Sequence, residues 1–233
     1  MSLLTTPALT AYYNAVRQNN ESTAVAFWTL VFKTFFPEEQ YNFVREMAAS
    51  ANDPQRRVDG QLQYVEAGTP RIMVLFFHEA KRASQSTTAM QEVEGQAFEA
   101  CGTYLDYKRL SFVYAVTTIG TEARLWKYES DGNFRSLTVN SSGNAQPQGT
   151  RSAYIDANSV DAAQLRAGLL HMKQLPPSSA YTPSALPSQS SNQVPQPTFS
   201  VLPSTPSNTS TTQWIQHSTG RWYRYVNGQI EWN

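Results

Sequence analysis

Glu79 and Lys81 in the segment VLFFHEAKR stand two residues apart, directly after the unbroken apolar run Ile72–Phe77. Such a run reads as a strand buried on both faces. The period of two in a strand then points the carboxylate and the ammonium to one side of the sheet. Asp59, in RRVDG, lies 20 residues before Glu79 on the preceding strand candidate. Counted from a turn near Gly68, Asp59 and Glu79 are nine and 11 positions away, so both reach the open end of the hairpin. Two carboxylates at one sheet end make a hard-oxygen site suited to Mg²⁺ or Mn²⁺. A lysine beside them can orient or deprotonate a water while the metal stabilises charge on phosphorus oxygens. The chemistry expected of Asp59, Glu79 and Lys81 is metal-assisted phosphodiester hydrolysis.

These residues need a scaffold, and the periodicities supply one. TPALTAYYNAVRQ and STAVAFWTLVFKTFF read as helices, the first with a Thr or Pro start and the second with a Ser or Thr cap. Pro37 opens PEEQYNFVREMAA as a further helical stretch. RRVDGQLQYVEAG and RIMVLFFHEAKR form a hairpin, and STTAMQEVEGQAFEACGTYL is a helix capped by Thr87 or Thr88. LSFVYAVTTIG and EARLWKYE are strands around a Gly120 turn, FRSLTV is a possible third, and SVDAAQLRAGLLHMKQL closes the domain as an amphipathic helix. The order α, β, β, α, β, β, α predicts an α/β (α+β) domain, a mixed central sheet flanked by helices with a right-handed crossover.

The trio, with Gln96 on the helix that follows, resembles the PD-(D/E)xK nuclease superfamily over roughly residues 20–130. The resemblance implies a restriction-endonuclease-like αβββαβ core. It implies Asp59, Glu79 and the Ala80 carbonyl as metal ligands, Lys81 serving the nucleophile, and Gln96 assisting at the site. Family members often add an acid from the first core helix, for which Glu21 is best placed, ahead of Glu38 and Glu39. Val58 stands where the family name places proline. TTIGTEARLWKYE is similar to a segment of fungal nuclease-like domains. In it Arg124 and Lys127 either face substrate phosphates or form the solvated face of a strand. DNA or RNA is the implied partner. The other function class is a catalytically silent nuclease-fold interaction or effector protein that binds a protein or nucleic-acid partner.

Charge does not choose between them, because 18 Lys and Arg balance 18 Asp and Glu over 233 residues, without the basic excess of many nucleic-acid binders. The single cysteine, Cys101, excludes an internal disulfide framework and reads as a buried small hydrophobe. His78, His171 and His217 have no metal spacing. There is no secretory signal and no apolar run long enough for a bilayer, so a nuclear or cytoplasmic location without membrane contact is expected. Residues 1–175 form the nuclease-like domain. Residues 176–212 read as a disordered linker, since Gln174 to Gly220 holds no charge and eight of the 13 prolines. Residues 213–233 read as an aromatic β-hairpin turning at Asn227-Gly228. GRWYRYVNG there resembles the middle of a WW module, but only 18 positions separate Trp214 from Trp232 and no proline follows. Its aromatic side chains suit docking on the domain or on a protein partner.

Overall fold

The computed structural model describes residues 2–18, 21–37, 39–50, 53–66, 68, 71–84, 86–139, 148–177, 215–216, 222–226 and 229–232. The chain divides into two units, Met1–Ser184 and Ala185–Asn233. In the first, helices α1 (Pro7–Val16) and α2 (Glu21–Phe35) precede strands β1 (Tyr41–Ser50), β2 (Asp53–Val65) and β3 (Ile72–Lys81). Helix α3 (Thr87–Lys108) leads to β4 (Phe112–Ile119), β5 (Glu122–Glu129), β6 (Phe134–Ser136), β7 (Ile155–Asp156) and α4 (Ala162–Gln174).

The seven strands form one sheet in the order β1-β2-β3-β4-β5-β6, with β7 added to β5. All pairs are antiparallel except β3 and β4, which run parallel because α3 carries the chain back across the sheet between them. Alternate residues of β3 sort the layers. Phe76 and His78 meet Phe32 of α2, with ring centroids at 4.9 and 5.1 Å. Phe77 meets Tyr104 of α3 at 5.5 Å on the opposite face. Helix α4 shares the α2 face: a Cβ on Gly168 would stand 2.4 Å from Leu125 Cδ1, so that glycine lets helix and strand approach closely. Leu165, Leu169 and Met172, spaced four and three apart, are its buried stripe.

The caps differ slightly from expectation. Thr6 caps α1, its side chain accepting from the Leu9 amide at 3.2 Å with Pro7 in the first turn. Helix α2 already starts at Glu21, which places Ser22 and Thr23 inside its first turn, and Ser86 is the residue preceding α3. The larger correction is the segment after Pro37, which is strand β1 and not a helix. Its Arg, Glu, Met and Ala residues favour helix locally. Pairing with β2 from Tyr41↔Tyr64 to Ser50↔Asp53 overrides that preference. Tyr41 and Phe43 lie two apart and pack on Phe36 and Phe32 at 5.2 and 5.6 Å, as a half-buried strand requires.

In the second unit, β8 (Ile215–Gln216), β9 (Trp222–Val226) and β10 (Gln229–Trp232) form a three-stranded antiparallel sheet. Val226 pairs with Gln229, the register of a two-residue hairpin. The expected turn residues Asn227 and Gly228, and the expected linker beyond residue 177, lie outside the described residues.

Candidate active site

The site forms where β2 and β3 part. Their ladder runs from Val65↔Ile72 to Gly60↔His78. One step further the Ala80 amide donates to the side chain of Asp59, reaching Oδ2 at 2.7 Å. A carboxylate thus takes the place of a ladder acceptor. It is held at the strand end beside Glu79 and Ala80, two elements' worth of backbone fixing one side chain.

Register puts Glu79 opposite Thr117 of β4, and Thr117 opposite Arg124 of β5, so these side chains share the α3 face. Glu79 is only 5% exposed. Burial pushes the Cys101 thiol of α3 well up, and the Glu79 charge adds to that effect. Cys101 is a free, fully buried cysteine. Lys81, on the same face, pairs with Glu92 of α3 at Nζ–Oε1 2.8 Å. Burial pulls the Lys81 pKa down, but Glu92, then Glu21 and Asp59, reverse it, leaving it raised. Glu21 arrives from the first turn of α2, where its Oε2 accepts from the Arg82 amide at 3.4 Å. Burial raises the Asp59 pKa against the Ala80 hydrogen bond, and the Glu21 charge raises it further, beyond what Lys81 and Arg45 offset. The fold therefore gathers Glu21, Asp59, Glu79 and Lys81 at one sheet end.

Gln96 lies one turn after Glu92 on α3, half-buried and on the same side of the helix. Glu39 is exposed just before β1, whose Tyr41 pairs with Tyr64 at the other end of β2, about 17 Å of strand from Asp59. It is not part of the site, and Glu38 lies outside the described residues. Glu92 was missed by sequence reasoning. The available signal was its position four residues before Gln96.

Arg124 requires correction as a phosphate contact. Arg124 is fully buried, its Nη1 3.2 Å from Glu94 Oε1, its Nε 3.3 Å from the Ser136 hydroxyl, and its guanidinium 3.9 Å over the Trp126 ring. Helix α3 covers this strand face and brings Glu94 to it, which is why Arg124 is neither at a phosphate nor in solvent. Lys127, three residues on, points to the other face, pairs with Glu129 at 2.9 Å and sits 4.6 Å over Phe112.

No protein-family model, curated protein or solved structure matches this chain. The site therefore stands on its own geometry. Among the described residues no group of three or more His, Cys, Asp or Glu side chains is placed to hold a metal ion. Mg²⁺ or Mn²⁺ needs only one or two carboxylates and keeps waters, and the Asp59 carboxylate held on the Ala80 amide next to Glu79 is a donor set of that chemical kind. Among the described residues no helix is long and apolar enough to cross a membrane.

Proposed function

We propose that this chain is a divalent-metal-dependent nuclease of the restriction-endonuclease-like kind, hydrolysing phosphodiester bonds of DNA or RNA. The observation that carries this reading is the Asp59 carboxylate on the Ala80 amide, which sets one acid beside Glu79 and Lys81 where the strands part. The order α2-β1-β2-β3-α3-β4, with β3 and β4 parallel, supports it. Asp59, Glu79 and the Ala80 carbonyl would hold Mg²⁺ or Mn²⁺, which supplies charge stabilisation at the phosphorus oxygens when bound. Lys81 is anchored by Glu92 and its raised pKa keeps it an ammonium at neutral pH. As an ammonium it orients the attacking water or a phosphate oxygen by donating hydrogen bonds. Gln96 and Glu21 flank these groups.

The test is calorimetric titration of Mg²⁺ or Mn²⁺ into wild type and Asp59→Ala, with parallel cleavage assays on single- and double-stranded DNA and RNA. Metal binding that needs Asp59, accompanied by cleavage, is the expected result. Absence of both overturns the reading in favour of a silent nuclease-fold interaction protein. The burial of Arg124 against Glu94 favours that second reading, and the aromatic tail is then the first place to seek a protein partner.

A further inference from the structure

Arg124 is buried against Glu94 and Lys127 lies five residues along β5 from the sheet end that holds Asp59, so phosphate contacts for the proposed nuclease have to come from other cations, and three arginines lie at that end. Arg45 of β1 is exposed and pairs in register with Gly60, the residue after Asp59, whose pKa its charge helps to lower. Arg82 follows β3 directly, is exposed, and has its amide on Glu21. Arg151 binds Glu122 through Nη2, and Glu122 shares a cross-strand row with Ile119 and Lys81. Its side chain is 24% exposed, while its Nε is buried with no acceptor. Among the described residues neither Arg45 nor Arg82 makes a side-chain ion pair.

Arg45 lies in β1, Arg82 directly follows β3, and Arg151, in the single 3-10 turn Arg151–Ala153, is held at the start of β5 by Glu122. β1, β3 and β5 are alternate strands, so the strand ends that carry or hold these three side chains span about 20 Å of sheet. Asp59 on β2 and Glu79 on β3 fall within that span. We infer that Arg45, Arg82 and Arg151 form a track for one phosphodiester backbone, laid across the strand ends so that it passes the carboxylates. Arg151 takes a phosphate through the exposed part of its side chain while Glu122 holds Nη2. The inference rests on the nuclease reading for its substrate class, and the backbone is that of a single strand or of one strand of a duplex.

The experiment is fluorescence anisotropy of the full chain with labelled single-stranded and duplex oligonucleotides of DNA and RNA, over a series of NaCl concentrations with Ca²⁺ in place of Mg²⁺. Losing three phosphate contacts lowers the slope of log affinity against log salt by about 2 for a single strand and nearly 3 for a duplex. The variant Arg45→Gln/Arg82→Gln/Arg151→Gln is expected to show that change with at least about tenfold weaker binding at moderate salt. The single variants Arg45→Gln and Arg82→Gln, at exposed positions, each lose about one contact and guard against a folding defect in the triple variant. Arg135→Gln, 64% exposed on β6, is expected to leave affinity and slope unchanged. Unchanged affinity and slope in the triple variant, equal loss in Arg135→Gln, or no binding by wild type overturns the track. Parallel cleavage in Mg²⁺ separates the two ideas. Binding that needs the arginines without any cleavage keeps the track and removes the nuclease. Cleavage that survives in the triple variant with unchanged KM does the reverse.

Discussion

His78 offers a quantitative test of how the core beside the site is built. Its ring is fully buried against Phe32 and Phe43, with Nε2 3.0 Å from the Thr118 hydroxyl and Nδ1 without a partner. Burial, helped by the Arg45 charge, lowers its pKa from 6.5 to about 3. Between those values the unfolded chain binds a proton that the folded chain refuses. The stabilisation is thus fully present above the unfolded pKa and is lost progressively as pH falls toward the folded one. Linkage puts the loss at about 2 kcal/mol between about pH 7 and about pH 5, approaching about 1.4 kcal/mol per pH unit in the steep part. Urea melts of wild type and His78→Leu at a series of pH values measure it, because their difference removes groups that the substitution leaves unchanged. The wild-type curve is expected to be steeper by that amount. Parallel curves, or a His78 resonance titrating near its ordinary value, refute the reasoning.

Glu94→Ala leaves the buried Arg124 guanidinium and the Gly149 amide without their carboxylate and is expected to cost about 3–5 kcal/mol in urea melts. Burial raises the Glu94 pKa and lowers that of Arg124, so the pair does not recover its desolvation, and Glu94→Leu with Arg124→Met should restore most of the loss. Gly60→Ala places a Cβ 2.3 Å from Phe43 Cζ and should cost about 1–3 kcal/mol in thermal melts. Gly95→Ala, mid-helix with nothing within 4 Å of its Cβ, should instead gain about 0.5–1 kcal/mol. Lys81→Ala is expected to fold normally by circular dichroism while cleavage falls by about 10²-fold or more.

The sequence disclosed what depends on local period. The β2–β3 hairpin, the crossover helix α3 and the β4–β5 pair all announce themselves through apolar runs and turns, and with them the approach of Asp59 to Glu79. What escaped depends on distant partners. YNFVREMAA has a helical composition, and only β2 alongside it makes it a strand. RLWK alternates as a half-solvated strand does, but α3 lies over that face and supplies Glu94, 30 residues away in sequence. Glu92 was hidden similarly, since its role exists only once α3 folds back over the end of β3.

Two of the five tryptophans occupy opposite sides of this sheet. Trp28, on α2, donates its indole N–H to the Gly120 carbonyl at 2.9 Å. Trp126, on the α3 face, donates to the Thr117 hydroxyl at 2.9 Å and stacks on Phe134 with an interplanar angle of 8°. In optical terms the domain carries a separate intrinsic fluorophore for each layer of its core. Replacing either with Phe, in a background whose tail tryptophans are also Phe, leaves a single emitter reporting on one layer. Coincident denaturation midpoints from the two emitters would identify both layers as one cooperative unit, and separate midpoints would show which side of the sheet opens first.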